Sequence, residues 1–420
     1  MISIICVICI NLTSIITWEN MGELQGALNV YDLTIGLNGN LYAGAAIDST
    51  SQDRGRVYVS QNYWDWQRCT GVPWVSGDTI SAVYALHNGV NDTLFAGVGL
   101  YHSGDTPRVF KSSDGGANWI PLSGYGTYRT GSSVYALLED NLGYLHLGNN
   151  YGGMSSAIPR YSTDRGANWQ QGGGTINYNA QHYCFCQTTD NTIYFGSWGT
   201  GGGGHFSTDN GVTWNPTTAI SGASDSYTIV EYGTNTILTG VEADIGRIYM
   251  STDRGTTWTE LGDGYFNSTD AIRSLYVASD GYIYAGTSPN AEVFVSVNGG
   301  STWISTGQLT DATRVNSITE GVKYGAVAEM DSFFLFASTG PNGDVFRGLL
   351  YTIGVREGTI QNQYFYNHST ILTGPLPFAG DKSYKIFDIT GREIHSLNPA
   401  PGIYFIQIDK KITQKIIKIE

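Results

Sequence analysis

Charge is scarce in this 420-residue chain, and positive charge is scarcer still: 14% of residues are charged, with 22 Lys and Arg against 36 Asp and Glu. The shortage is uneven. Residues 381–420 hold seven basic and five acidic groups, which leaves 15 basic against 31 acidic groups in residues 1–380. A surface of that sign repels phosphate backbones and anionic lipid, so nucleic acid and anionic membrane are not expected as partners. Cysteine is nearly absent. Cys6 and Cys9 lie at the extreme N-terminus, Cys69 has no evident mate, and Cys184 and Cys186 share one strand face but are badly placed to bridge. These five cysteines do not make a disulfide framework. Cys184 and Cys186 can be read as metal ligands or as small buried side chains; with no matching pair elsewhere, neither metal nor cofactor is expected. Long apolar runs are missing too. Met1 to Ile16 is apolar but too short to span a bilayer, and residues 1–13 read as a secretory leader, although the basic start and Ala-x-Ala site are lacking.

What is plentiful is glycine (55), tyrosine (28) and tryptophan (10), a turn-rich, aromatic β composition with ample material for a core. The chain is organised around Ser251-Thr-Asp253-Arg254-Gly255-Thr-Thr257-Trp258. Copies begin at Ser112 (SSDGGANW), Ser162 (STDRGANW), Ser207 (STDNGVTW) and Ser296 (SVNGGSTW), with a worn copy at Ser60. Their acids fall at Asp114, Asp164, Asp209 and Asp253, with Asn298 last, in steps of 50, 45, 44 and 45 residues. A fixed period of that size in strand-rich units predicts a propeller. Each octet joins two strands. The Asp accepts backbone N–H groups within the turn, Gly255 supplies a positive φ, and the Trp (119, 169, 214, 258, 303) anchors the next strand by burying its ring.

These octets resemble the Asp-box, or bacterial neuraminidase repeat, of sialidases and many other β-propellers. In that family the box staples the fold away from the active site, which implies a structural role for all ten Asp, Asn and Trp residues.

Two further strands recur in each unit. The first reads Val30-Tyr, Val83-Tyr, Val134-Tyr, Tyr183-Cys, Tyr227-Thr, Leu275-Tyr and Val315-Asn; the second reads like Leu41-Tyr-Ala-Gly44, seven times over. Each unit is therefore a four-strand meander, a to d, with the repeated octet joining c to d. The count is seven, but the seventh unit stops after its third strand. Thr17-Trp18-Glu-Asn-Met-Gly-Glu-Leu24 matches Thr257-Trp258-Thr-Glu-Leu-Gly-Asp-Gly264, so an N-terminal strand is expected to complete the last blade. Residues 14–352 read as an all-β, seven-bladed propeller closed in this way; a six-bladed ring with a stray hairpin is the alternative. From Ile353 the repeat stops. Tyr384-Lys-Ile-Phe-Asp-Ile-Thr-Gly-Arg-Glu-Ile394, Pro401-Gly-Ile-Tyr-Phe-Ile-Gln-Ile408 and Lys415-Ile-Ile-Lys-Ile419 resemble the C-terminal sorting domain of type IX secretion substrates. That resemblance implies a small β-sandwich within residues 353–420, outer-membrane secretion machinery as a partner, and an extracellular or bacterial cell-surface destination. An ordinary β-sandwich accessory module is the alternative.

In a propeller the a–b and c–d turns open on one face, with Glu139, Glu231 and Glu320, and the d–a and b–c loops open on the other. Function collects on the longer loops. Candidate ligand-binding residues there are Tyr128, Tyr178, His182 and Trp198, whose rings suit sugars or else pack the loops together, and Arg247, Arg273 and Arg314, which either converge on a carboxylate or pair with neighbouring acids. Asp78, Asp225, Asp270 and Asp311 each precede an innermost strand and read as turn caps or as catalytic acids. The sialidase resemblance implies an arginine triad, a tyrosine nucleophile with its glutamate, and an aspartate acid/base. The Arg-Ile-Pro signature is missing, and catalytic residues cannot be assigned. The expected role is a monomeric, secreted propeller that binds a glycan or surface protein; a sialidase-like glycoside hydrolase is the rival. Three converging arginines beside a Tyr–Glu pair and a free Asp would favour the enzyme.

Overall fold

The computed structural model describes residues 16–47, 55–69, 80–100, 108–122, 132–151, 158–176, 181–199, 201–266, 271–323 and 331–353, together with 369–372, 384–388, 393–394, 402–408 and 411–418. Seven antiparallel sheets follow one another along the first ten of these segments. Blade one consists of Ala27–Ile35, Leu41–Ile47, Gly55–Ser60 and Gln67–Arg68. Blade two is Ile80–Asn88, Leu94–Leu100, Arg108–Ser112 and Ile120–Pro121; blade three is Ser132–Glu139, Leu145–Tyr151, Arg160–Ser162 and Gln170–Gln171. Blade four is His182–Gln187, Ile193–Ser197, His205–Ser207 and Thr213–Pro216, with Gly173–Gly174 added parallel to its outer strand. Blade five is Ala223–Glu231, Ile237–Ala243, Arg247–Ser251 and Thr259–Leu261; blade six is Ala271–Val277, Ile283–Ser288, Glu292–Ser296 and Ile304–Gln308. Blade seven has Arg314–Lys323, Asp331–Gly340 and Asp344–Ile353, and its fourth strand is Trp18–Glu23.

The ring closes as the sequence predicts. Trp18 pairs antiparallel with Gly348, and the first strands touch their neighbours all the way round, blade seven back to blade one. Closure removes the exposed ladder edge that an unfinished blade would present. Specific contacts hold the clasp. Trp18 Nε1–H donates to Thr306 Oγ1 of blade six at 2.9 Å, Arg347 reaches Glu19 at 2.6 Å, and its guanidinium lies 3.2 Å over the Trp64 ring of blade one.

Between blades the core is built from pairs of neighbouring sheets. Phe95, Val109 and Leu122 of blade two pack with Val134, Leu137, Leu145, Leu147 and Trp169 of blade three, each such side chain contributing about 1.5–3 kcal/mol on full burial. The glycine ending the second-strand motif has its reason here. A Cβ on Gly97 would stand 2.5 Å from Val134 Cγ1, and one on Gly240 would stand 2.6 Å from Ile272 Cγ2, so the next blade leaves no room for a methyl group.

The recurrent turn has one geometry throughout. At its reference copy Ser251 Oγ–H donates to Asp253 Oδ1 at 2.8 Å, Gly255 N–H donates to Ser251 Oγ at 2.8 Å, and Thr257 N–H and Oγ1–H donate to Asp253 at 2.8 and 2.7 Å. Equivalent bonds surround Asp114, Asp164, Asp209 and, with an amide in place of the acid, Asn298. Hydrogen bonds from Thr257 hold the Asp253 carboxyl down at about 2, and those from Asn168 do the same for Asp164. Trp119, Trp169 and Trp303 donate their indole N–H to the turn's own Gly116, Gly166 and Gly300 carbonyls. Trp258 donates instead to Thr218 O at 3.0 Å, while Trp214 is fully buried with no partner for its Nε1 among the described residues. The C-terminal strands form one five-stranded sheet in which Ser369–Leu372 runs parallel to Lys411–Lys418. Where a sandwich is expected, the described residues supply this single sheet.

Candidate functional site

In all seven blades the first strand carries one more residue than the second at the same place. Pairing steps from Val30 to Asp32, Val83 to Ala85, Val134 to Ala136, His182 to Cys184, Ser226 to Thr228, Ile272 to Ser274 and Val315 to Ser317. The residue skipped each time sits in a β-bulge, a device that re-aims a side chain. Here the seven skipped residues are Tyr31, Tyr84, Tyr135, Tyr183, Tyr227, Arg273 and Asn316, one per innermost strand. They meet across blade boundaries around the axis. Ring centroids lie 4.6 Å apart for Tyr31–Tyr84, 4.3 Å for Tyr84–Tyr135, 6.3 Å for Tyr135–Tyr183 and 4.8 Å for Tyr183–Tyr227. The Arg273 guanidinium then lies 4.0 Å over the Tyr227 ring, and Asn316 Nδ2–H donates to Val30 O of blade one at 2.8 Å.

This corrects the strand alignment read from sequence. Blades four and five are read one residue late and blade six three residues late, because His182, Ser226 and Ile272-Arg273 stand where the other blades carry Val-Tyr or Val-Asn.

Polar groups gather at the end of the axis where the d–a and b–c loops open. Tyr227 Oη–H donates to Glu242 Oε2, and Asp225 Oδ2 lies 3.4 Å from the same hydroxyl. Asp225 Oδ1 accepts Gly199 N–H at 3.0 Å. Tyr183 Oη–H donates to Gln181 Oε1 at 3.1 Å, and Gln181 O accepts the backbone N–H of the half-exposed Trp198 at 2.9 Å. The Nε of Arg273 is buried without a hydrogen-bond partner among the described residues. Burial pushes the Asp225 carboxyl up; the Glu242 charge adds to this, and the Gly199 N–H and Arg273 oppose it. Burial likewise raises the hydroxyls of Tyr183 and Tyr227, so both remain protonated donors at neutral pH.

The predicted site residues scatter. Arg273 and Trp198 belong to this cluster. Arg314 stands at the start of blade seven and donates through Nη2 to Asn29 at 2.6 Å. Arg247 lies on the third strand of blade five, where Nη1 meets both Glu260 oxygens at 2.8 Å. His182 is a correction: it is 0% exposed, packed 4.6 Å from Phe195 between blades three and four, because the residue before the bulge faces the neighbouring sheet. Tyr128, Tyr178, Asp78 and Asp270 lie outside the described residues. Arginines 247, 273 and 314 therefore have separate partners. Cys184 and Cys186 are thiols whose burial pushes both up to about 12, and no group of three metal-ligating side chains occurs among the described residues.

At the opposite end the acids are structural. Glu139 accepts Val90 N–H at 2.7 Å and pairs with Arg165 at 2.7 Å; Glu231 accepts Thr189 N–H at 2.9 Å and Glu320 accepts Ser279 N–H at 2.7 Å. Each ties the end of one innermost strand to the a–b turn of the preceding blade.

No protein-family model matches the chain, and no curated protein matches it. Solved structures do. A catalytically inactive virginiamycin B lyase from Staphylococcus aureus, with quinupristin, superposes with TM-score 0.58 at 12% identity over 80% of this chain and 100% of its own. YCF48 bound to D1 peptide gives 0.56 at 11%, over 79% and 94%. PorZ, an essential bacterial surface component of the type-IX secretion system of Porphyromonas gingivalis, gives 0.54 at 16%, over 93% of this chain and 59% of PorZ. At these identities the likeness is one of fold.

Proposed function

We propose that this chain is a secreted or cell-surface binding module, in which residues 14–352 form an Asp-box propeller that takes a glycan or the surface of another protein at the axial mouth. Residues 1–13 serve as its leader, and residues 353–420 act as a type IX-like sorting domain read by outer-membrane secretion machinery. The observation that carries the binding role is the mouth itself: an arc of tyrosines with Asp225, Glu242 and Arg273 grouped at one side, and the half-exposed Trp198 next in the chain to Gly199, whose N–H donates to Asp225. Flat rings beside a few directing polar groups are what a recognition pocket needs. Two solved structures of the same fold are described as bound to a peptide and to quinupristin, which agrees with ligand capture by a propeller of this kind.

A glycoside hydrolase keeps one observation in its favour, the hydrogen bond between Tyr227 and Glu242 with Asp225 close by. Against it stand Arg247 and Arg314, engaged by Glu260 and Asn29 rather than turned together on a carboxylate. The test is one screen of the full chain against sialylated and neutral glycans and extracellular proteins, reading binding and sugar release together, with Trp198→Ala alongside. Retention without release that Trp198→Ala weakens supports the binding module. Release that Tyr227→Phe abolishes replaces it with the hydrolase, and binding indifferent to Trp198 removes the mouth from the proposal.

A further inference from the structure

The geometry points to a subsite on blades four to six that seats the adjacent hydroxyls of a neutral sugar rather than a carboxylate-bearing one; this rests on the reading of the mouth as a binding site. Acceptors outnumber donors there. Asp225, 4% exposed, and the half-buried Glu242 hold four carboxylate oxygens, and among the described residues only the Gly199 N–H and the Tyr227 hydroxyl donate to them. The single phenolic proton of Tyr227 goes to Glu242, so Asp225 Oδ2, 3.4 Å away, is left poorly served. Two hydroxyls on neighbouring sugar carbons supply two donors at a spacing that one carboxylate can accept with both oxygens. A ligand carboxylate in the same place would face two like charges.

The rest of the site fits the same ligand. Arg273 is fixed 4.0 Å over Tyr227, which leaves its guanidinium edge as a donor toward a hydroxyl or ring oxygen. Trp198, 48% exposed beside Gln181, offers a platform for the C–H face of a pyranose ring. Arg314 is held by Asn29 of blade one, away from blades four to six. The excess of acids over residues 1–380 adds a general bias against anionic ligands.

The test is calorimetric titration of the full chain, as wild type, Glu242→Gln and Trp198→Ala, with neutral oligosaccharides (gluco-, xylo- and chito-oligomers) and with sialyllactose. Glu242→Gln keeps the size of a half-buried side chain, and unchanged thermal melting confirms that the variant is folded. Binding of a neutral oligosaccharide that Glu242→Gln weakens about 10- to 100-fold is the expected result, since a charge-assisted hydrogen bond is lost. Sialyllactose bound more tightly than its neutral core overturns the inference, as does neutral binding untouched by Glu242→Gln. If Trp198→Ala weakens capture of a protein or an acidic glycan while Glu242→Gln does not, the subsite is wrong and the mouth remains a binding face. If neither substitution changes any binding, both readings fall.

Discussion

His182 and His205 are buried, 0% and 2% exposed, and acid should find them. Burial lowers His182 to about 3 and His205 to about 4, against 6.5 in an unfolded chain. Above pH 6.5 both states hold these rings neutral, and folding loses nothing. As pH falls below 6.5 the unfolded chain takes up protons that the folded ring refuses, so stability declines until the folded-state values are reached. At pH 5 the gap is 1.5 units below the unfolded value, worth about 2 kcal/mol for each histidine, or roughly 4 kcal/mol for the two. Asp32 runs the other way. Burial raises it to about 6, so the folded state gains a proton first and recovers about 1 kcal/mol between pH 7 and 5. These three groups together lose about 3 kcal/mol between pH 7 and pH 5, and His87, which burial also lowers to about 4, adds about 2 kcal/mol to the loss. Urea unfolding of the full chain, followed by tryptophan fluorescence at pH 7, 6 and 5, reads it directly. His182→Phe keeps an aromatic ring against Phe195 and should flatten the acid slope by about 2 kcal/mol while changing the pH 7 value less. A slope unchanged in that variant would mean that His182 is reached by solvent or paired in the folded protein, contrary to its position between blades three and four.

Blade spacing can be tested by crowding it. Gly97→Ala places a methyl 2.5 Å from Val134 Cγ1 and should cost about 1–3 kcal/mol, and Val134→Ala should relieve part of that cost in the double variant, with a coupling of about 1 kcal/mol in urea melts. Strictly additive costs would show that the two blades do not meet there. Glu320→Ala removes the acceptor of the Ser279 N–H and should destabilise by about 1–3 kcal/mol, with faster amide exchange confined to the a–b turn of blade six; exchange spread evenly over the ring would refute the staple.

The parts of this fold that could be read from sequence are those whose contacts are local. The recurrent turn closes on itself within eight residues, from Ser251 Oγ to Gly255 N–H and Thr257, so its repetition shows in the letters and sets the period of the blades. The closing strand was legible because Trp18 copies the start of the fourth strand at Trp258. The arginines were not, because their partners are decided elsewhere. Arg314 finds Asn29 at a separation of 285 residues, and nothing in the neighbourhood of either announces the other. Arg247 does have its partner nearby, at Glu260, but only the register of two outer strands brings them together. For His182, the aromatic ring and the loop-proximal position suggested a ligand; one place before the bulge, however, the same side chain faces the next blade.

The bulge also explains why the proposed binding end of the ring hides in a sequence whose architecture is so plain. A sevenfold repeat makes backbone positions equivalent, so a ligand that needs one orientation must be met by side chains that break the equivalence. Seven bulges deliver seven side chains to the axis, and five of them are tyrosine. The break falls at blades five and six, where Arg273 replaces the next tyrosine and Asp225 and Glu242 flank the last one. Read along the chain, Tyr227 and Arg273 lie 46 residues apart and belong to different repeats. Only the extra residue in each innermost strand makes them neighbours, and a register shift of that kind arises from the pairing of two strands rather than from the composition of either.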